Sequence, residues 1–414
     1  MKQPKLRFKA DDGNQYPEWE EKRLEEIAVR ITRKNKDNCT DIPLTISSLD
    51  GLIDQRDFFN KIVASKDMSG YYLLKRGEFA YNKSYSKGFD FGSIKRLNLY
   101  DEGALSTLYI CFALNDNEDS DFYQKYFDSL SWYPELQKIC AEGARNHGLL
   151  NVSTNDFFQL KLHVPKSKEE QQEIASLFTE LDNLIQSAER ELEGYRELKQ
   201  GMLQKMFPKK GEKVPEIRFS EFTGDWEQHK LGEYLEVSKE KNKDEVYNRN
   251  DVLSVSGNCG IVNQIEFQGR SFAGVSVANY GIVATGDVVY TKSPLKANPY
   301  GIIKTNKGKA GIVSTLYAIY KPLENVHPDF IQIYFEQDAR MNNYMRPLVN
   351  RGAKNDMKVS DENALKGDVM FPKKEEQIRI AEYFQNLDNL IEFQQRELDG
   401  YKELKKGLLQ QMFC

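Results

Sequence analysis

Two short motifs place a carboxylate and a lysine two residues apart, a spacing that metal-dependent nucleases use. They are Glu197-Leu198-Lys199 and Glu403-Leu404-Lys405. That chemistry needs a strand, where residues i and i+2 share one face, whereas on a helix the two side chains diverge. Because the residues around both motifs have helical periodicity, we predict a solvated helix face at each of them.

A third motif, Asn298-Pro299-Tyr300, is close to the Asn-Pro-Pro-Tyr signature with which adenine methyltransferases hold a flipped base. One proline is missing, and no Gly-rich cofactor loop follows a strand. We predict a turn whose tyrosine faces DNA or the core. The chain also lacks a P-loop for ATP, and its four histidines have no spacing suited to a metal or a catalytic triad. No catalytic or metal site is therefore predicted.

Polar loops at equivalent places in the two halves are the candidate binding residues. One loop follows the strand candidate Phe79-Ala80-Tyr81, and another follows Asp287-Val288-Val289-Tyr290. Such side chains suit contacts to phosphates and base edges, although solvated loops made alike by duplication are the alternative. With two further segments that join a cation to an asparagine, the predicted DNA-binding residues are Asn82, Lys83, Ser84, Tyr85, Lys87, Arg145, Asn146, Thr291, Lys292, Ser293, Lys296, Lys354 and Asn355.

The second half of the chain repeats the first. Glu169-Glu170-Gln171 returns as Glu375-Glu376-Gln377, an offset of 206 residues (375 minus 169), and Leu181-Asp182-Asn183 returns as Leu387-Asp388-Asn389 at the same offset. Between these segments the offset wanders, so the globular parts carry insertions and deletions. A duplicated chain can present two similar surfaces to a partner with two similar faces, and duplex DNA is such a partner.

Each repeat ends in a long helical segment that starts after a proline, Pro165 or Pro372. Apolar residues recur three and four positions apart, which predicts a coiled-coil seam with an interruption at Glu191. Helices of about 35 residues would span about 50 Å. We expect the two helices to pack against each other, with pairing between two chains as the alternative. The expected spacer residues are Leu177, Leu181, Leu184, Leu387, Leu390 and Leu398.

Composition restricts the class of protein. With 58 Lys and Arg against 63 Asp and Glu, the net charge of −5 is unfavourable for a lone nucleic-acid binder, unless charge is segregated or a partner adds cations. No apolar run is long enough to cross a membrane, and the start has no signal-peptide core. The five cysteines are scattered, which is typical of reduced thiols. The expected location is the cytoplasm.

The repeated motifs give the chain a resemblance to the specificity subunits of type I restriction–modification systems, over essentially its whole length. Two ungapped copies carry Glu-Glu-Gln, Ile-Ala, Leu-Asp-Asn-Leu-Ile, Glu-Leu-x-Gly-Tyr, Glu-Leu-Lys and Met-Phe in the same order. A Pro-x-Leu/Ile-Arg-Phe segment followed by a Trp precedes each variable part.

The resemblance implies that each globular segment is a target recognition domain for one half of a bipartite site on double-stranded DNA. It implies that the helices set the gap between half-sites and dock two modification subunits, which bind S-adenosylmethionine and methylate adenine. Two restriction subunits, which are motor–nucleases using ATP and Mg, would complete the enzyme. This chain would be non-catalytic and bind no cofactor. Because the two recognition segments match only faintly, we expect an asymmetric site.

The predicted fold class is α+β, with two duplicated globular recognition domains joined by two long helices packed as an antiparallel coiled coil, in pseudo-twofold symmetry. The expected divisions are a first recognition domain at 1–165, a central helical spacer at 166–210, a second recognition domain at 211–372 and a distal helical region at 373–414. Two alternatives stay open. One is a coiled-coil scaffold on DNA without sequence specificity, and the other is a stand-alone DNA methyltransferase or nuclease.

Overall fold

The computed structural model describes residues 3–59, 64–140, 150–292, 298–351 and 357–414, with the backbone alone at 350, 351, 357 and 358. Contacts divide the chain into two compact units, Met1–Glu189 with Glu397–Cys414, and Arg190–Arg396. Each unit therefore contains one globular segment and parts of both long helices. The predicted divisions at 165, 210 and 372 stay a prediction.

The first unit alternates strands with short helices and includes the start of one long helix. Its strands are β1 Glu20–Arg23, β2 Ala28–Arg30, β3 Pro43–Ser47, β4 Gly51–Asp54, β5 Tyr72–Lys75, β6 Phe79–Asn82, β7 Ser93–Arg96, β8 Glu102–Leu105, β9 Ile110–Leu114 and β10 Lys161–Val164. Its helices are α1 Leu24–Ile27, α2 Gln55–Phe59, α3 Ser120–Asp128, α4 Tyr133–Ile139, α5 Thr154–Phe158 and the first part of α6 Lys168–Lys205.

The second unit has the same kinds of element in a similar order. Its strands are β11 Glu227–Lys230, β12 Leu235–Val237, β13 Leu253–Ser256, β14 Gly260–Asn263, β15 Gly281–Val283, β16 Val288–Thr291, β17 Ile303–Thr305, β18 Gly311–Val313, β19 Tyr317–Pro322, β20 Asn350–Arg351, β21 Met357–Lys358 and β22 Asp368–Phe371. Its helices are α7 Gln264–Gln268, α8 Pro328–Glu336, α9 Asp338–Met345 and the first part of α10 Lys374–Met412.

Both units are built on the same strand order. The four-stranded antiparallel sheet is β2-β9-β6-β7 in the first unit and β12-β19-β16-β17 in the second. A hairpin, β3–β4 or β13–β14, lies beside it, and a strand pair, β1–β10 or β11–β22, joins the start of each globular segment to its end. The prediction of two duplicated α+β segments is confirmed.

The core of each unit is aromatic and includes the end of a long helix. In the first unit Phe413, just after α10, lies 5.9 Å from Phe122 between ring centroids. In the second unit Phe207, just after α6, lies 5.9 Å from both Trp226 and Phe330. The Met-Phe pairs of the repeat are therefore core residues, and each globular segment is closed by the helix of the other repeat.

The two long helices pair in antiparallel direction. In the first unit Asp182 binds Lys405 at 2.6 Å, and Glu189, one heptad later in α6, binds Lys402, earlier in α10, at 2.7 Å. Partners that advance on one helix and recede on the other define an antiparallel pair. The prediction that the chain pairs its own two helices is confirmed. Among the residues described, no helix has the length and apolarity needed to span a membrane.

Both Glu-x-Lys motifs lie on these helices, as predicted. The predicted solvated face is wrong for their lysines, which are half-buried and hold the helix pair together. Lys405 shares the Asp182 carboxylate with Lys125, and both distances are 2.6 Å. Burial raises the pKa of Asp182, but hydrogen bonds from the two lysines bring it below its ordinary value. In the second unit Lys199 binds Asp388 at 2.7 Å. Each lysine therefore pairs with the Leu-Asp-Asn segment of the opposite helix.

The buried seam differs from the predicted one because it has no interruption. Leu192 is itself a seam position, and after Leu181 the seam advances four residues to Ile185. Leu184 and Leu390 are consequently 48% and 43% exposed and lie outside it. Leu177 is half-buried, and Leu181, Leu387 and Leu398 are buried. Spacings of four and three residues connect Ile174, Phe178, Leu181, Ile185, Ala188, Leu192, Tyr195 and Lys199 in α6, and Ile380, Phe384, Leu387, Ile391, Gln394, Leu398, Tyr401 and Lys405 in α10.

Candidate nucleic-acid interface

A buried ion pair fixes the start of each long helix to its globular segment. Arg7 donates hydrogen bonds to both carboxylate oxygens of Glu170, at 2.9 and 2.8 Å. Arg218 does the same to Glu376, at 2.8 and 2.7 Å. Two parallel charge-assisted bonds fix orientation as well as distance. The repeated Arg-Phe and Glu-Glu-Gln motifs are therefore the two sides of one structural contact.

The last residue of β6 and the loop after it contain five of the predicted DNA-binding residues. The Oδ1 atom of Asn82 accepts a hydrogen bond from the backbone of Ser84 at 2.9 Å, which folds the loop back on the strand end. Tyr85 is 62% exposed, Lys87 is exposed and Lys83 is half-buried. In the part of the chain that the structure describes, no ion pair involves either lysine. Two cations and an aromatic ring are thus available to a ligand.

The turn of the β3–β4 hairpin lies beside this loop, although it is not among the predicted site residues. The Oγ atoms of Ser48 and Ser86 are 3.0 Å apart, and that of Ser47 accepts a hydrogen bond from the backbone of Asp50 at 3.1 Å. Leu49, at the tip of the turn, is 84% exposed. The hairpin turn and the polar loop therefore form one continuous surface.

A third loop, residues 106–109, completes the surface of the first unit. Strand β9 pairs Ile110 with Tyr81, so the residues just before β9 run alongside the loop that follows β6. The hydroxyl of Tyr109 lies 3.5 Å from Thr45 Oγ1 on the hairpin. Leu108 is exposed. Three loops thus meet at one end of the sheet.

The second unit has the same arrangement with different side chains. Val255, on the β13–β14 hairpin, and Tyr317 pack against the same small hydrophobic core. The backbone N–H of Lys292, just after β16, donates to the carbonyl of Leu316 at 3.3 Å. The hairpin, the end of the central strand and the tyrosine loop again converge.

A glycine allows the close return of the chain behind each central strand. Gly92 and Gly301 have φ angles of +77° and +78°. A Cβ atom at either position would lie 2.0 Å from a carbonyl oxygen, that of Asn82 or that of Thr291. Only glycine combines this conformation with so close an approach. The chain therefore returns to the end of β6 and to the end of β16 in the same way.

Two of the predicted residues of the second unit, Thr291 and Lys292, have structural partners. Thr291 is buried, and its hydroxyl accepts a hydrogen bond from the backbone of Ile302 at 2.9 Å. The Lys292 ammonium binds Asp361 at 2.9 Å. The remaining predicted residues, Ser293, Lys296, Arg145, Asn146, Lys354 and Asn355, lie outside the described residues. A DNA-contacting role for the whole set stays a prediction.

The methyltransferase-like motif is a turn that leads into β17. Tyr300 is buried, and its carbonyl accepts a hydrogen bond from the Tyr290 hydroxyl at 2.8 Å. The Asn298 amide donates to Asp338. The predicted turn with a core-facing tyrosine is confirmed. Within the described ranges, no group of three or more His, Cys, Asp or Glu side chains could hold a metal ion.

Comparison with known proteins gives consistent relatives, although no protein-family model matches the chain. Two proteins of Methanocaldococcus jannaschii, named as type I restriction enzyme specificity subunits, are similar in sequence. The MjaX subunit is 24% identical over 97% of this chain and 94% of its own length. The MjaVIII subunit is 24% identical over 74% of this chain and 73% of its own length.

Two solved structures share the fold. The S subunit of a type I restriction–modification system from M. genitalium has a TM-score of 0.58 at 13% identity, covering 100% of this chain and 99% of that one. A chain from a study of type I complex assembly and conformational transition has a TM-score of 0.52 at 16% identity, covering 96% and 98%. In its duplicated frame and in sequence, the chain is similar to the specificity subunits of type I restriction–modification systems.

Proposed function

We propose that the chain is the DNA-recognition subunit of a type I restriction–modification complex and that it reads a bipartite, asymmetric site. The observation that carries the proposal is a frame repeated in both units, in which a hairpin turn and a tyrosine loop meet at the end of the central strand, with different side chains in each. Base contacts specify a sequence, whereas the frame only positions them. Equivalent frames with different loops therefore suit two different half-sites.

Phosphate contacts would supply much of the affinity. Lys83 and Lys87 are free of carboxylate partners among the described residues and lie on the proposed surface. Since the whole chain has a net charge of −5, we expect partner subunits to add further cations along the DNA.

In this proposal the chain performs no catalysis itself. Both motifs that resemble catalytic sites have structural roles, since Lys199 and Lys405 pair across the helices and Tyr300 packs in the core. S-adenosylmethionine would bind to two modification subunits, and ATP with Mg to two restriction subunits. Acting on the cell's DNA, the complex would be cytoplasmic.

The test is a map of N6-methyladenine in cells that express the chain together with a type I modification subunit that co-purifies with it. We expect one two-part motif, with methyladenine in both halves and a fixed gap, and no methylation when either subunit is expressed alone. Methylation without a motif would favour the coiled-coil scaffold. Methyl transfer by the purified chain alone would favour a stand-alone methyltransferase.

Charge reversal at Lys83 and Lys87 is expected to weaken DNA binding through the first unit. Loss of two phosphate contacts should reduce the salt dependence of the binding constant by about two in a log–log plot and affinity by at least about tenfold. Fluorescence anisotropy of the assembled complex across a salt series measures both. Charge reversal at Lys9 and Lys75, two exposed lysines of the same unit outside the three loops, is the matched control. An unchanged slope in K83E/K87E would remove the loop from the interface.

The exposed leucines of the long helices mark where modification subunits would dock. Leu184 and Leu404 are exposed in the first unit, and their equivalents Leu390 and Leu198 are exposed in the second. Large apolar side chains that are exposed at repeated positions are typical of a protein interface. We expect the double variant L184E/L404E to bind one modification subunit where the wild type binds two, as measured by native mass spectrometry. Two bound subunits would place the docking surface elsewhere, and L99E is the control.

A further inference from the structure

We propose that the tips of the two hairpin turns, Leu49 in the first unit and Asn258 in the second, determine which base pair each recognition surface accepts. This inference rests on the proposed function and identifies side chains that would read each half-site. It depends on four observations about the two turns: their common frame, their different tips, their exposure and their position beside the polar loops.

The two turns are folded by the same hydrogen bond. At the start of each, a serine hydroxyl accepts from the backbone N–H three residues later. Ser47 accepts from Asp50 at 3.1 Å, and Ser256 accepts from Cys259 at 3.2 Å. The serine therefore fixes the backbone of the turn in both units, and the side chains between the serine and its donor do not affect this hydrogen bond.

The end of each turn is equally constrained. Gly51 and Gly260 have φ angles of +90° and +70°, a region that favours glycine, and each pairs with the serine that opens its turn. Leu49 and Asn258 occupy the same place, two residues after the serine and two before the glycine. The frame is alike in the two units, and the side chain that it presents differs.

Neither tip side chain contributes to the packing of the described part of the chain. Leu49 is 84% exposed, in a turn position where Gly, Asn, Asp and Ser are the usual residues. Asn258 is exposed, and its amide makes no hydrogen bond within the described part of the chain. An apolar side chain held in solvent by a rigid turn gains nothing from folding. It can gain from a ligand that covers it.

The turns hold these tips on the proposed DNA surface. In the first unit Ser48, next to Leu49, lies 3.0 Å from Ser86 in the polar loop and 3.2 Å from Ser93, between Oγ atoms. In the second unit Val255 of the β13–β14 hairpin and Tyr317 pack against one small core, and residues 314–317 border Lys292, just after β16. A duplex seated on the lysine-bearing loop of the first unit would also meet Leu49.

The chemistry of the two side chains predicts what each would read. In the major groove the apolar complement of leucine is the methyl group of thymine, whereas asparagine donates and accepts at the N6 and N7 atoms of adenine. We therefore expect one thymine contact in the half-site of the first unit and one adenine contact in that of the second. Leu108 and Leu316, exposed at equivalent loops, are the same residue in both units and so cannot distinguish the half-sites.

The test maps methylated motifs for complexes that contain L49A, N258A or L49N. L49A should relax one thymine position in one half-site, reducing preference about tenfold, and N258A should relax one adenine position in the other half. L49N should move the preference at the first position from thymine to adenine on the same strand. L99A, which alters an exposed leucine at the opposite end of the sheet, should leave the motif unchanged.

The failures of the two ideas are distinguishable. Wild-type motifs in both L49A and N258A would overturn the role of the turns while leaving the recognition function intact. No defined motif from the wild type would instead refute the recognition function.

Alkylation of the exposed thiol next to Asn258 gives a readout that needs no methylation. A duplex carrying the mapped site should protect Cys259 from iodoacetamide in the wild-type complex, while Cys39, exposed in the other unit, reacts as before. Equal alkylation of Cys259 with and without the duplex would overturn the proposal.

Discussion

Replacement of Glu376 by alanine is expected to lower the free energy of unfolding by about 3–5 kcal/mol. Its buried carboxylate accepts two hydrogen bonds from Arg218, at 2.8 and 2.7 Å, and one from the Trp226 indole at 3.3 Å. Without the Glu376 carboxylate, a largely buried guanidinium and a buried indole N–H lose their hydrogen-bond acceptors. Buried donors without acceptors lower the free energy of unfolding far more than the loss of an exposed ion pair does. Urea denaturation followed by circular dichroism measures the change.

The variant R379A is the matched control on the same helix. Arg379 is exposed and pairs with exposed Glu382 and Glu221, so its loss should cost under about 1 kcal/mol. The equivalent variant in the first unit, E170A, should be less damaging than E376A, because the Trp19 indole finds no acceptor among the described residues. If E376A is as stable as R379A, the ion pair does not hold the helix to its segment.

The duplicated architecture could be predicted from the sequence because its signal is long and ungapped. The constant offset of 206 residues between the helical segments requires that they form alike. Since both copies carry an apolar stripe within one chain, their mutual pairing is the simplest way to bury it. The polar loop after β6 could also be predicted from the sequence, because the strand and the loop are adjacent in the chain.

The contacts that could not be predicted from the sequence are between residues that are far apart in the chain. Arg7 and Glu170 are 163 residues apart, and Ser48 and Ser86 are 38 apart, so no local pattern connects them. A signal for the turns does exist, since Ser-x-x-x-Gly occurs at Ser47–Gly51 and again at 256–260. It becomes visible only when the two halves are aligned by their strands.

The seam was misplaced for a different reason. After Leu181 the sequence offers an apolar residue both three and four positions on, Leu184 and Ile185, and spacing alone cannot choose between them. In the packed helix pair Ile185 occupies the seam. A step of four residues after Leu181 keeps the alternation of four-residue and three-residue steps, and this alternation brings Ala188 and Leu192 into the seam. Leu184 then stays exposed.

Insertion of one heptad after Glu191 and another after Glu397 is expected to lengthen the gap between half-sites by about three base pairs. Seven residues preserve the phase of the seam. At 1.5 Å per residue they add about 10 Å, and duplex DNA rises about 3.4 Å per base pair. Because both helices are extended at equivalent points, the Asp182–Lys405 pair of the first unit and the Lys199–Asp388 pair of the second stay intact. Methylation mapping of the variant complex gives the new gap directly.

Insertion of five residues at the same two points is the control. It turns the rest of each helix by about 140°, which moves the apolar seam away from its partner, so we expect methylation to be lost. The heptad variant keeps the seam, so its result tests only the effect of helix length on the gap between half-sites. If it methylates both half-sites across the wild-type gap, the helix pair is not the ruler, and the modification subunits become the parts that set the distance.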